Sequence, residues 1–74
     1  FTVNHIHCLQ GLRKDYSGLD SFVIYFCVGG AGLIETEIGR IPLNAGEAMM
    51  LPAVCQAASI QPKGSIEILE IFIV

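Results

Sequence analysis

Apolar and polar positions alternate in short runs along this chain, and glycine or proline separates one run from the next. No window of ten residues carries the i, i+3, i+4 apolar spacing of an amphipathic helix. Runs of strand length at such regular intervals are typical of an all-β sandwich or barrel. The pattern therefore predicts one domain of about seven to eight short antiparallel strands. The runs that define them lie at residues 2–9, 21–28, 33–38, 41–43, 48–51, 54–60 and 65–74.

Two of these predicted strands carry information about their faces. In residues 21–28, the even positions from Phe22 to Val28 and the odd positions from Val23 to Cys27 are all apolar or aromatic. We therefore expect this strand to be covered on both sides. In the last strand, strict alternation places Glu67 and Glu70 on opposite faces. A β-bulge near residues 68–69 would put both carboxylates in solvent, which is what we expect.

The composition indicates that the domain packs against something else. Of its 74 residues, 53% are hydrophobic and only 15% are charged. A domain of this size buries only about 60% of the surface that its unfolded chain exposes. We therefore expect a homodimer of the isolated domain, with the apolar strand at residues 66–74 as a candidate seam. Because the sequence begins with Phe1, we also expect residues 1–74 to be a fragment of a longer chain.

The charge and the cysteines exclude several classes of protein. The net charge is −3 with only four Lys and Arg residues, which argues against nucleic-acid binding. No apolar run approaches the roughly 20 residues of a membrane helix, and the first residues given do not have the pattern of a secretory signal peptide. The three cysteines are far apart and odd in number, so a disulfide framework is not expected. These features predict a soluble protein of the cytoplasm.

Two stretches resemble a known superfamily. The run "SFVIYFCVGGAGLIE" (21–35) reads as strand, glycine-rich turn and strand, and "IPLNAGEAMMLPA" (41–53) follows it. This order is similar to that of the cupins, which are small jelly-roll β-sandwiches. Adding "FTVNHI" at the start and "ILEIFIV" at the end, the chain resembles the C-terminal cupin of bacterial class I mannose-6-phosphate isomerases.

This resemblance implies that the parent protein has two cupin domains with different roles. In such isomerases a cupin earlier in the chain holds zinc on a Gln-x-His pair with a further Glu and His. That domain interconverts mannose 6-phosphate and fructose 6-phosphate. No Gln-x-His occurs here. The resemblance implies that residues 1–74 are the C-terminal fragment of such a chain. This fragment would be an accessory, non-catalytic domain that has no cofactor of its own and packs beside the preceding catalytic cupin.

The positions where a metal-binding cupin carries its ligands also look empty. Counted from Gly30 and Gly46, they fall near Tyr16, Gly18, Val23 and Met49. None of these residues is a usual ligand of zinc or iron.

The segment "NHIHC" offers an alternative metal site. His5 and His7 lie two positions apart, so on a strand their side chains share one face and could chelate a metal ion. Zinc needs at least a third protein ligand. Glu35 is the best candidate, and Glu37 shares its strand face. This set would make the chain a small metallo-cupin enzyme.

A second alternative is a stand-alone dimeric cupin that binds a small sugar or sugar phosphate. Arg13 and Lys14 would then bind the phosphate. The plainer interpretation of this pair is a flexible, charged loop before a strand.

Overall fold

The structure, a computed structural model, describes residues 2–73 and confirms the all-β prediction. These residues contain six strands, and no helix among them is long and apolar enough to cross a membrane. The strands are β1 (Thr2–Cys8), β2 (Leu12–Asp15), β3 (Val23–Thr36), β4 (Gly39–Asn44), β5 (Ala48–Leu51) and β6 (Ala57–Phe72). Val74, the predicted end of the last strand, lies outside the described residues.

Two long strands replace four of the short ones that the sequence predicts. The runs at 21–28 and 33–38 belong to the single strand β3, and those at 54–60 and 65–74 belong to β6. The glycines at 29–32 bend β3 and do not form a turn. In the pairing of β3 with β6, the register shifts between Cys27 and Gly29 and again between Gly30 and Gly32. Glycine permits this bend because Gly30 has a positive φ of 71°.

The irregularities lie at residues 28–31 of β3 and, for the second of them, at residues 63–65 of β6, and not at residues 68–69 where the sequence predicted a bulge. The pairing of β1 with β6 runs without a shift from Thr2↔Phe72 to Cys8↔Ile66. Strict alternation therefore holds through residues 68–69 of β6. Glu67 faces outward and is partly exposed, whereas Glu70 is fully buried. The prediction that both carboxylates are solvated is wrong for Glu70.

The sheet folds over into two layers that face each other. β1 and β2 pair with different parts of β6, and β5 and β4 pair with different parts of β3. The first layer contains β1, β5 and the paired segments 23–29 and 66–72, and the second layer contains β2, β4 and the segments 32–36 and 57–62. Lys14 in β2 pairs with Ala58, yet its ammonium lies 3.4 Å from the Glu70 carboxylate. This contact crosses from one layer to the other.

The core lies between the layers and contains residues from both. It includes Val23, Tyr25 and Cys27 of β3, which the alternation pattern places on one face. The opposite face of the same strand is not covered, since Phe26 and Val28 are 36% and 44% exposed. The expectation that this strand is covered on both sides is therefore wrong for the chain on its own. All three cysteines are buried and free, which agrees with the absence of a disulfide framework.

Two further expectations are corrected by the pairing. Arg13 and Lys14 do not lie in a flexible loop, because both belong to β2 and pair with β6. The segment 66–72 cannot form a dimer seam by edge pairing, because β1 lies on one side of it and β3 on the other. The homodimer itself stays a prediction.

Candidate functional site

The most distinctive feature of the interior is a buried polar cluster centred on the Glu70 carboxylate. The Tyr16 hydroxyl donates a hydrogen bond to Oε2 of Glu70. Since that hydroxyl has one proton, the Tyr25 hydroxyl supplies the proton for the 2.5 Å contact between the two tyrosines. Nδ2 of Asn4 donates to Oε1 of Glu70 at 3.3 Å, and Lys14 approaches Oε2. We call these five residues the Glu70 cluster.

The residues of the Glu70 cluster come from four strands, with Tyr16 directly after one of them. Asn4, Glu70 and Tyr25 are neighbours in register across β1, β6 and β3, so their side chains share the inner face of the first layer. Lys14 comes from β2 in the second layer, and Tyr16 follows that strand. The cluster therefore joins the two layers by hydrogen bonds as well as by packing.

Every polar group of the Glu70 cluster that is buried has a partner. Among residues 2–73, no buried side-chain nitrogen or oxygen lacks a hydrogen bond. A buried carboxylate is tolerated only when it is paired and hydrogen-bonded in this way. Glu70 therefore has the environment of a structural group whose bonds are already made.

The two tyrosines are held in their neutral form by this environment. Burial raises the pKa of Tyr16, and its hydrogen bond to Glu70 raises it further. Burial also raises the pKa of Tyr25, against a lowering effect of its hydrogen bond with Tyr16. Their ionisation would place a negative charge beside a buried carboxylate. These are the two tyrosines of the chain, so tyrosinate absorbance reports on the cluster alone.

We expect the domain to lose stability steeply above pH 10. A tyrosine in the unfolded chain ionises near pH 10. Because both folded-state pKa values are raised, their contribution to stability is complete below that pH and is lost as the pH rises above it. Well above pH 10 the two groups together lower the free energy of unfolding by about 2.7 kcal/mol per pH unit. An alkaline titration should show tyrosinate absorbance appearing together with unfolding.

The matched variant for this titration is Tyr16→Phe, which leaves one titrating tyrosine. We expect it to reduce the slope above pH 10 by about 1.4 kcal/mol per pH unit. Ionisation of either tyrosine near pH 10 in the folded domain would contradict the buried, bonded arrangement.

An open pocket of about 300 Å³ lies beside the Glu70 cluster, lined by Lys14, Tyr16, Phe72 and residues of the 15–19 turn. The Tyr16 ring packs edge-on against Phe72, with ring centres 6.0 Å apart. Tyr16 is only 6% exposed. The Asp15 carboxylate accepts a hydrogen bond from the Ser17 amide, and this bond lowers its pKa.

The structure separates the two basic residues that the sequence singled out. Alternation along β2 directs Lys14 inward to Glu70 and leaves Arg13 on the outer face. Arg13 lines a different pocket of about 380 Å³ with Glu35 and Glu37. The Glu37 carboxylate accepts hydrogen bonds from two backbone amides, those of Gln56 and Ala57. Arg13 and Lys14 therefore do not converge on one anion.

The histidine pair and Glu35 are likewise held apart. His5 and His7 pair with Leu69 and Glu67, near the C-terminal end of β6, whereas Glu35 pairs with Ser59 near its start. Nε2 of His5 lies 2.8 Å from Glu67, which the sequence did not suggest as a partner. Within residues 2–73, no group of three His, Cys, Asp or Glu side chains could hold a metal ion.

A family model described as "Mannose-6-phosphate isomerase, cupin domain" matches residues 1–73. The chain belongs to this cupin family. The match covers almost the whole sequence and agrees with the resemblance carried by its four motifs. No curated protein matches the chain.

Solved cupins share the fold of this domain. A cupin superfamily protein from Desulfitobacterium hafniense has a TM-score of 0.78 and 20% identity, over 97% of this chain and 65% of that one. A cupin-2 domain protein from Shewanella frigidimarina has a TM-score of 0.74 and 16% identity, over 92% and 65%. A cupin from Bacteroides fragilis has a TM-score of 0.73 and 20% identity, over 96% and 61%. The domain thus spans less than two thirds of each of these proteins.

The positions at which a metal-binding cupin carries its ligands fall near Tyr16, Gly18, Val23 and Met49 in this domain. Tyr16 and Val23 are core residues, and Met49 packs against the core opposite Tyr25. Gly18 has no side chain that could bind a metal ion. A phenol held to Glu70, an alkyl group and a thioether are not a donor set for zinc, so these residues do not fit a zinc centre.

Proposed function

We propose that this cupin is the accessory, metal-free and non-catalytic C-terminal domain of a mannose-6-phosphate isomerase-like protein. In that parent protein the preceding cupin domain would hold zinc and interconvert mannose 6-phosphate and fructose 6-phosphate. The family match supports the relationship. The Glu70 cluster is the observation that supports the accessory role most directly. Glu70 has the one carboxylate that is buried among residues 2–73, and its oxygens are already bound to Tyr16 and Lys14.

Aldose–ketose isomerisation moves a proton between neighbouring carbon atoms, and this requires a base that can reach the substrate. Glu70 is fully buried and already accepts bonds from Tyr16, Asn4 and Lys14. The buried tyrosines are protonated at neutral pH, as any tyrosine with an ordinary pKa near 10 is, and burial raises their pKa values further. Among residues 2–73 the interior therefore offers no free base, which supports a structural role.

The parent protein would be cytoplasmic, and the preceding catalytic cupin would be the partner of this domain. Three free, buried cysteines are consistent with a reducing compartment. The first layer exposes Met50, Val3 and Phe26 on its outer face, which is consistent with a domain that does not stand in solvent on all sides.

The first test of this proposal is the sequence of the coding DNA upstream of Phe1. We expect an open reading frame with a Gln-x-His pair followed by Glu and His ligands. A start codon directly before Phe1 would overturn the assignment to a larger isomerase.

The second test is an isomerase assay of the isolated domain with added zinc. We expect no interconversion of mannose 6-phosphate and fructose 6-phosphate above the rate without protein. Zinc-dependent turnover that disappears in Glu70→Gln would show that the domain is itself catalytic.

A further inference from the structure

The outer face of the second layer is polar and contains an open pocket. One row of paired residues crosses this face from β2 to β4, and it consists of Arg13, Ser59, Glu35 and Arg40. The pocket has a volume of about 380 Å³, and its lining includes the first three of these residues together with Glu37. It is separate from the sandwich interior and from the Glu70 cluster.

Small residues of β6 make room for this pocket. Ala57 and Ser59 lie in β6, between β2 on one side and β3 on the other. Arg13 belongs to β2, whereas Glu35 belongs to β3 and Glu37 directly follows that strand. Neighbouring strands are about 4.8 Å apart, so roughly 10 Å separates the backbone of β2 from that of β3. The pocket therefore has a guanidinium on one wall and carboxylates on the other.

Arg13 and Glu37 are the charged groups of the pocket that have no ion partner among residues 2–73. Glu35 already pairs with Arg40 at 3.7 Å, and Asp15, which follows in β2, is not within ion-pair distance of Arg13. The Glu37 carboxylate accepts its two backbone hydrogen bonds through the same oxygen, Oε1. Its Oε2 is therefore open to a donor, and the Arg13 guanidinium is open to an acceptor.

These two groups define the chemistry of a ligand. An anionic group can accept charge-assisted hydrogen bonds from Arg13, and an ammonium group can donate them to Glu37. A ligand with only one of these charges would bind to only one wall. Because the walls rise from strands roughly 10 Å apart, the two charges of the ligand must be several bonds apart. An amino acid whose ammonium and carboxylate stand at opposite ends of a short carbon chain meets both requirements.

We propose that this pocket binds a small ω-amino acid, with its carboxylate on Arg13 and its ammonium on Glu37. The hydroxyl of Ser59 lies on the floor between the two walls and can donate a further hydrogen bond to the ligand carboxylate. The site uses no residue of the Glu70 cluster, so the proposal is independent of the isomerase assignment.

Nuclear magnetic resonance titration of the 74-residue chain tests the proposal, with 4-aminobutyrate as the probe. We expect saturable shifts of the backbone amide signals of Ala57 and Ser59. Butyrate and butylamine carry one charge each on the same carbon chain, and each should bind about tenfold more weakly because it loses one charge-assisted contact. Glycine should also bind more weakly, since its two charges are too close together to reach both walls.

Two variants remove one charge each from the pocket. Glu37→Gln keeps an oxygen that can accept the two backbone hydrogen bonds, and Arg13→Gln changes an exposed side chain of β2. Each should weaken binding of 4-aminobutyrate about tenfold. The control is Lys63→Gln, which removes a charge that does not line the pocket and should leave binding unchanged.

The amide signals of core residues in the same spectra show that each variant is folded. Absence of saturable shifts with 4-aminobutyrate would overturn the proposal. Equal binding of butyrate and 4-aminobutyrate would also overturn it, because Glu37 would then contribute nothing. Binding that is unchanged in both pocket variants would place the ligand elsewhere on the domain.

Discussion

We expect Gly30→Ala to lower the free energy of unfolding by at least about 3 kcal/mol. Gly30 has a φ of 71°, which costs an alanine about 1–2 kcal/mol. In addition, its Cβ would lie 2.1 Å from the carbonyl oxygen of Ser65. That oxygen belongs to the backbone of β6, so it cannot rotate away as a side chain would. The bend that brings the two layers together would have to open.

The matched control is Gly64→Ala. Gly64 has a similar φ of 82°, but a Cβ there meets nothing within 4 Å. We expect a loss of only about 1–2 kcal/mol. Gly32→Ala separates the two causes further, since Gly32 has no positive φ but its Cβ would lie 2.7 Å from the Gln61 carbonyl oxygen.

Urea unfolding of these variants measures the losses. A small domain is stable by only a few kcal/mol, so recovery of Gly30→Ala as an unfolded chain without urea would also agree with the expectation. Equal losses for Gly30→Ala and Gly64→Ala would show that the close approach at the bend contributes nothing.

The second large effect concerns Glu70. We expect Glu70→Leu to cost about 2–4 kcal/mol, because it leaves the Tyr16 hydroxyl without its acceptor inside the protein. Lys14 also loses its partner, although its side chain is 30% exposed and can turn toward water. The control is Glu67→Gln, which removes the carboxylate charge from the exposed contact with His5 and should cost less than about 1 kcal/mol.

A double-mutant cycle shows whether the two groups act together. We expect Tyr16→Phe to cost much less in the Glu70→Leu background than in the unaltered chain, with a coupling of at least about 1 kcal/mol. Urea unfolding measures all four proteins. Additive losses would contradict the bond between Tyr16 and Glu70 as the source of the effect.

The fold could be predicted from the sequence, but the Glu70 cluster could not. Alternation along residues 21–28 correctly places Val23, Tyr25 and Cys27 inside. The same rule places Glu70 with the buried Ile66 and Ile68, but a charged side chain in the core looked unfavourable without a known partner. Its partners Tyr16 and Lys14 come from the other layer, and no local pattern reveals such a contact.

The glycine run shows a second limit of local patterns. Glycines between two apolar runs are typical of a hairpin turn, and this pattern predicts a turn at residues 29–32. In the structure β3 continues through them with two bulges, because β6 pairs with both halves of the strand. The decision between a turn and a bend depends on a partner about 35 residues away, which the local sequence does not specify.

The central claim is that this cupin domain holds no metal because its interior is filled by the Glu70 cluster. Thermal unfolding of the isolated domain with and without equimolar zinc tests it most directly. A ligand that binds only the folded state raises the melting temperature. The account predicts an unchanged melting temperature. A rise that disappears in Glu70→Gln, but persists in a His5→Ala/His7→Ala variant, would contradict it.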